Sequence, residues 1–526
     1  MRFLMIIVMA TGIVGGAVTA QSIPQKSAED KKFVKLLDDQ WAWLMEQFPT
    51  WATAIGGYEQ YNGKWTDNSL EAIAARKQYQ QDLIPQIEAI HRDKLSPANQ
   101  LSYDLFLYSQ KMYRDGNKFP DEYMPINQMG GIHQSVARTL AMMPKRKTKD
   151  YDNMIARLNG VPKVVDQALV LMRKGLEKGI TPPQVTLRDI PGQVKNLLEE
   201  DPEKNSILSP FRDFNKDISQ ADQKRLKKEA AEALQKRVLP SFRKLHTFLE
   251  KEYLPGARAS IALGDLPNGR AWYAYAVKDY TTTDKTPEEI HKLGLSEVKR
   301  IRGEIDKIIR DTKFKGGFKE FTEFLRTDPQ FYYDKPEDLI AGYRNIAKKA
   351  DYKLVELFGK LPRQPYGVVA VPFYAEKSQT TAYYRSGSNK DGRPGTFFAN
   401  TYDLKSRPKW EMEALTLHEA VPGHHLQLAL AQEQDDVPMF RKHGGYTAYI
   451  EGWGLYSESL GEEMGFYQDP YSKFGQLTYE MWRAIRLVVD TGMHQLGWSR
   501  QKAIDYFKNN TGKSEHDITV EVDRYI

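Results

Sequence analysis

Apolar residues recur at three- and four-residue intervals along most of the chain, and that period predicts helices. In "QKRLKKEAAEALQKRVLPSFRKLHTFLEKEYL" (223–254) charged positions fill the gaps between apolar ones, with one break or kink at Pro240. "TPEEIHKLGLSEVKRIRGEIDKII" (286–309) predicts a helix opened by a capping box: Thr286 caps, Pro287 fits the first turn and Glu289 reaches back. The charge runs on these helices read as solvated faces. One stretch, 367–403, changes period: it is β-branched and aromatic and is punctuated by Gly, Ser, Asn and Pro. It predicts two or three short strands with a loop at "SGSNKDGRPG". "GTFFANT" (395–401) is the candidate edge strand, placed to bind an extended peptide by strand addition. No repeat or low-complexity tract interrupts the pattern. A weak boundary falls at "ALGDLPNGR" (262–270). The expected architecture is mainly α with a small β-sheet. Residues 21–265 would form an N-terminal helical region walling one side of a cleft, and 266–526 the region that carries the chemistry.

Composition narrows the class. Of 526 residues, 41% are hydrophobic and 11% aromatic, ample for a core, while the mean hydropathy of −0.60 argues against a polytopic membrane protein. Residues 1–20 read as an export signal: Arg2, then "FLMIIVMATGIV", then the small residues "AVTA", with cleavage after Ala20. The remainder is expected to be soluble, without an integral membrane span, and exported to the periplasm or beyond. The chain has no cysteine, which excludes disulfides, thiolate metal sites, a Cys nucleophile and a lipid-modified Cys. The 75 basic and 69 acidic residues leave +6, and no long basic run suggests nucleic acid as a partner. An oligomeric state is not set by the pattern.

"LTLHEAVPGHHLQ" (415–427) lies just after the predicted sheet, on an expected helix from about Trp410 to Gln432. It opens like the HExxH helix of zinc peptidases, with His418 and Glu419. The position four residues on is Pro422, and the next histidines are His424 and His425. On a straight helix His424 lies about 600° round from His418 and faces away, whereas His425 shares its face but sits roughly 10 Å along the axis. Pro422 and Gly423 mark a bulge that would turn one of them back. Three of only ten histidines fall in eight residues beside a glutamate. A catalytic zinc site takes three protein ligands and leaves one position open. His418 is then the first ligand, His424 or His425 the second, and Glu419 the general base.

Downstream, "GGYTAYIEGWGLYSESLGEEMG" (444–465) places Glu451 and Glu458 on one helical stripe. Glu451, between an aromatic run and "GWG", is expected to be buried and to serve as third ligand. Glu458 would support an imidazole from behind. In "YEMWRAIRLVVDTGMHQLGW" (479–498), Arg486, Asp490 and His494 recur every four residues on an apolar helix. They would brace the ligands or form an internal salt-bridge ladder, with Arg483 or Arg486 available for a substrate carboxylate. In "NQMGGIHQS" (127–135), His133 and Gln134 are candidates to reach the cleft but read first as structural. Tyr446, Tyr449 and Tyr456 read as helix packing.

"HEAVPGHH", "EGWGLYSE" and "RAIRLVVDTGMH", with "RPGTFFANT" and "TPEEIHKLGL", resemble the bacterial domain-of-unknown-function 885 family, which is similar to gluzincin-type zinc metallopeptidases. The resemblance covers most of the chain. It implies a helical zincin-like fold, Zn²⁺ as cofactor, peptide-bond hydrolysis and His424 rather than His425 as ligand. It also implies a "PGQALxYKxG"-like stretch after the final "EVDRYI". The resulting expectation is an exported zinc peptidase acting on peptide or peptide-like substrates: His418, His424 and Glu451 hold zinc, and Glu419 takes the water's proton and passes it to the leaving amine. Two rivals stand beside it. One is a non-catalytic periplasmic binding or scaffold protein with a structural or vestigial metal. The other is a zinc hydrolase of a non-peptide amide or ester.

Overall fold

The computed structural model describes residues 27–373 and 376–526, so the expected leader at 1–20 lies outside the described residues. Among the described residues, helices dominate and a single three-stranded sheet is present. None of these helices is long and apolar enough to cross a membrane.

The N-terminal part is built from α1 (Ala28–Gln47), α2 (Leu70–Glu88), α3 (Pro97–Gly116) and α4 (Thr148–Lys178). α1 begins with a capping box in which Ser27 and Asp30 satisfy each other's end of the first turn. The Asp30 carboxylate also accepts from the Ser96 amide at 3.0 Å and from Asn99 Nδ2 at 2.6 Å, which ties α1 to the start of α3. The break expected at Pro240 takes a specific form. α5 (Gln220–Ala233) runs into a π-turn at Leu234–Val238, and α6 (Leu239–Phe248) carries Pro240 in its first turn. A widened turn relieves the clash between a proline ring and the carbonyl before it, so the rod continues. A second π-turn, Leu249–Tyr253, precedes Pro255 in the same way. Buried apolar side chains between Ile126 and Ala257 close one core cluster.

A second cluster gathers residues from Val298 to Val522. It involves α7 (Pro287–Asp311), α8 (Pro336–Leu357), the sheet, α9 (Met412–Glu419), α10 (His424–Gln432), α11 (Thr447–Ser459), α12 (Pro470–His494) and α13 (Glu515–Tyr525). α7 opens with the Thr286/Glu289 capping box and Pro287 in its first turn. It crosses α12 so closely that a Cβ at Gly294 would lie 2.8 Å from the Leu487 and Val488 side chains.

The sheet contains β1 (Tyr366–Ala370), β2 (Ala382–Arg385) and β3 (Gly395–Ala399) in the order β1-β3-β2. β3 is parallel to β1 and antiparallel to β2. "GTFFANT" is therefore the central strand, which corrects the edge-strand expectation. Its backbone is paired on both sides, and Phe397 and Ala399 are fully buried. β1 and β2 are the edges. The loop after β2 reaches the N-terminal part, where the Arg393 guanidinium donates to the carbonyls of Ala54 and Met142.

Candidate metal centre

The expected continuous helix from Trp410 to Gln432 is two helices. α9 ends at Glu419, the chain turns over Ala420–Gly423, and α10 restarts at His424. Pro422 supplies no amide hydrogen, and the Val421–Pro422 peptide is cis. Gly423 packs where no side chain fits, because a Cβ there would lie 2.0 Å from the His418 carbonyl oxygen and 2.4 Å from that of Leu417. Trp453, on α11, holds the turn from outside by donating from Nε1 to the Pro422 carbonyl at 2.8 Å. A bulge inside one helix was expected; a full break is found. It cancels the angular separation of a straight helix and brings the rings of His418 and His424 to 4.6 Å between centroids, edge to face at 80°.

Glu451 reaches both rings from α11. Its carboxylate oxygens lie 3.6 Å from His418 Nε2 and 3.8 Å from His424 Nε2, and the three ligand atoms all fall within 4.8 Å of one another. Ligands bound about 2.0–2.1 Å from a tetrahedral zinc sit about 3.3–3.4 Å apart, so the two histidine–carboxylate separations exceed that spacing by a few tenths of an ångström, and the widest pair by up to about 1.4 Å. Glu451 was expected to be buried. Its side chain is instead 52% exposed, at the mouth of the site, while the two histidines beneath it are buried.

The His418 ring is held on every side. Nδ1 lies 2.8 Å from Oε1 of Glu458, which is fully buried. That contact fixes the ring orientation and leaves Nε2 facing Glu451. Arg483, on α12, approaches Glu458 Oε1 at 3.3 Å and lies 3.3–3.4 Å from the two His418 nitrogens. On the opposite side the ring lies flat against Gly454, where a Cβ would come within 2.5–2.9 Å of three ring atoms. Burial and Arg483 push the His418 pKa down, and the Glu451 and Glu458 carboxylates outweigh them, raising it to about 9. His424 differs: burial and the charge on His418 hold it at about 4, a neutral imidazole. Its Nδ1 is buried without a hydrogen-bond partner, as is Gln427 Oε1. The two residues are three positions apart on α10, so they lie on the same side of the helix. Glu419 is buried at the end of α9. Desolvation raises its carboxyl to about 7, Glu451 adds to this, and His418, Arg483 and the Tyr384 backbone amide oppose it.

The remaining candidates lie elsewhere. His425 faces the sheet: Nδ1 is 2.9 Å from the Tyr384 hydroxyl, and Nε2 is 3.0 Å from the Gln364 carbonyl. Both nitrogens are engaged there, so His425 stands apart from the cluster of His418, His424 and Glu451 and buttresses β2. Arg486, Asp490 and His494 do not form a ladder with one another. Arg486 donates to the Tyr525 hydroxyl at 2.7 Å and approaches Glu521 at 3.3 Å. Asp490 accepts from the Tyr273 hydroxyl at 2.6 Å. His494 accepts from the Leu263 amide at 2.9 Å and lies 2.7 Å from the Tyr525 carbonyl, which sets its proton on Nε2. These three pin α12 to α13 and to the 263–273 segment. His133 is buried against Gln193, to which Gln134 also donates, far in sequence and core from the cluster. Tyr446 does pack, donating to the Leu105 carbonyl at 3.0 Å, but Tyr449 and Tyr456 are exposed. Sequence reasoning did not find Gly454, Gln427 or Trp453. The "GWG" string was the available signal, since glycines inside a helix often mark close approach.

The chemistry of the cluster fits a divalent cation. A protonated His418 between two carboxylates would satisfy itself, whereas the neutral His424 Nε2 and a Glu451 oxygen stand 3.8 Å apart, too far for a hydrogen bond. A cation bound by both Nε2 atoms and Glu451 satisfies all three. The fold and this centre define a class: a mainly helical protein with a two-histidine, one-carboxylate cluster at a broken helix. The chain belongs to the family described as "Bacterial protein of unknown function (DUF885)", whose model matches residues 49–526. No curated protein matches it. Among solved structures it is similar to one described as "the putative lipoprotein from Colwellia psychrerythraea", with a TM-score of 0.88 and 25% identity over 95% of this chain and 89% of that one. "A putative lipoprotein of unknown function from Shewanella oneidensis" shares the fold, with a TM-score of 0.65 and 16% identity over 95% of this chain and 89% of that one.

Proposed function

We propose that this protein is an exported zinc-dependent peptidase whose centre is His418, His424 and Glu451, with Glu419 as general base. The observation that carries the reading is the convergence of three ligand atoms within 4.8 Å beside a second, buried glutamate. Zinc bound there would act as a Lewis acid on water and on the scissile carbonyl. Glu419 sits at the end of α9, next to His418 in sequence, and is poised to accept a proton from the attacking water and deliver it to the leaving amine. Its raised carboxyl suits both transfers, because a base works best with a pKa near the working pH. Glu458 and Gly454 keep His418 in one orientation, and Arg483 places a positive charge beside the ring. The exposed Glu451 leaves an approach from solvent. Export is supported by the leader-like pattern at 1–20 and by the descriptions of the two structural neighbours as lipoproteins.

The test is metal content and turnover on one preparation. One zinc per chain is expected, lost in His418→Ala. Glu419→Gln should retain zinc and lose about 10²–10⁴-fold in peptide hydrolysis, the range that general acid–base catalysis supplies. Stoichiometric zinc with no turnover on blocked or free-ended peptides would favour a structural metal, and turnover confined to esters or other amides would favour the non-peptide hydrolase. A purified protein without zinc, unable to take it up, would end the proposal.

A further inference from the structure

A large apolar cavity opens between the N-terminal helices and α10 and α11, the two helices that carry His424 and Glu451. Its volume is about 870 Å³, toward the top of the roughly 300–1,000 Å³ that ligand pockets occupy. One wall comes from α1 and α3, with Trp41, Trp43, Leu105 and Phe106. The facing wall comes from α10 and α11, with Leu426, Leu430, Tyr449 and Trp453. Phe106 meets Phe440 across the halves at 5.1 Å, and within the N-terminal wall Trp43 stacks on Tyr79 at 3.7 Å.

The cavity and the cluster share two helices, α10 and α11, although none of His418, His424 and Glu451 lines the cavity itself. Gln427 lines it and lies three residues after His424 on α10, on the same side of the helix; Ile450 lines it and immediately precedes Glu451 on α11. One helical turn is about 5.4 Å, roughly the reach of one or two extended peptide residues. A substrate bond held at the cluster would therefore project its neighbouring side chain into this space.

The lining also distinguishes between occupants. Among the described residues, Arg441 is the one charged residue that lines it. Gln40, Gln80, Gln110, Gln427 and Gln434 place neutral amides among the aromatic rings. An amide side chain both donates and accepts, which matches the two polar groups of a peptide bond, whereas a hydrocarbon chain uses neither. Resting on the reading of the cluster as a peptidase centre, we propose that the cavity is the substrate-selectivity pocket. It takes large apolar or aromatic side chains of a short peptide, with room for more than one.

The experiment measures binding on the full chain stripped of metal by chelation, so that neither zinc nor turnover is needed. Calorimetric titration with N-acetyl-Phe-Leu-Phe-amide is compared with N-acetyl-Gly-Ser-Gly-amide and with dodecanoate. The apolar peptide is expected to bind at least tenfold tighter than the Gly-Ser peptide. Ala431→Phe and Leu430→Trp each place an added ring in the cavity and are expected to weaken the apolar peptide at least tenfold, with the melting temperature as the check on folding. Equal affinity for the two peptides overturns the proposal without reference to any variant. So does a preference that survives both substitutions in folded protein, and so does tight dodecanoate binding with no peptide binding, which would make the cavity a lipid site. Selective peptide binding by a protein that never hydrolyses sinks the peptidase reading and leaves the pocket standing. Hydrolysis without side-chain preference does the reverse.

Discussion

Gly454 has no side chain where His418 needs space. A methyl group there would meet three ring atoms at 2.5–2.9 Å, and the ring cannot swing away because Glu458 holds its Nδ1. Gly454→Ala should therefore lower zinc affinity at least tenfold, within the range that supporting partners of metal ligands command. Overpacking against the held ring should also cost the fold about 1–3 kcal/mol, offset by up to about 1 kcal/mol because alanine is the better helix former. Chelator competition and a melting curve on the same variant check both halves, and undiminished zinc affinity would remove the steric argument. At this scale much of the candidate site was legible. His418, Glu419, Glu451 and Glu458 were identifiable from residue type and spacing. The choice between His424 and His425 was open, because it depends on the dihedrals of the four residues between the two helices. The burial of Glu451 was misjudged: its aromatic neighbours in sequence point elsewhere on α11, and the carboxylate stands at the opening.

Elements show what periodicity conveys and what it omits. The capping boxes are local, three residues apart, so the one that opens α7 was readable. Asp30, in the α1 box, adds a tertiary tie that the pattern did not show. Desolvation raises its carboxyl, yet the hydrogen bonds from Asn99, Ser96 and Ser27 win and lower it from 3.8 to about 2. A depressed carboxyl stabilises the fold fully above its unfolded value and loses that contribution as pH falls through the folded one. Asp30→Ala should therefore cost about 2 kcal/mol at neutral pH, and the gap from the wild type should close between about pH 4 and pH 2. Urea denaturation at several pH values measures it, and a pH-independent gap would assign the effect to packing alone. The strands were placed correctly in sequence, but the strand order was not. Which strand is central depends on pairing between segments about thirty residues apart, and β3 lies between β1 and β2 because its side chains are the buried ones.

At the scale of the whole molecule, the candidate ligands come from α9, α10 and α11, with Gly454 and Glu458 from α11 and Arg483 from α12 around them. A ligand that binds only the folded chain stabilises it by mass action, about 2.7 kcal/mol at a hundredfold excess over Kd. Unfolding entropy scales to about 1 kcal/mol per kelvin for 526 residues melting together. Zinc should then raise the melting temperature by about 2–3 °C, an increment lost with chelator and absent in His418→Ala. Calorimetry reads this directly. An equal shift in the alanine variant would place the ion somewhere else.

The amino-acid sequence by itself determined the helical character, the short β segment, the acidic and imidazole groups available for a centre, and the family resemblance. These are properties of period, residue type and short spacing, which need no knowledge of distant chain. The tertiary structure alone decided that α9 breaks before α10, that His424 turns to the cluster while His425 turns to the sheet, and that β3 is internal. It also decided that the apolar cavity forms where the two halves meet. Each of these depends on where a side chain finds room and partners among residues far away in sequence, and close packing settles that only once the chain has folded.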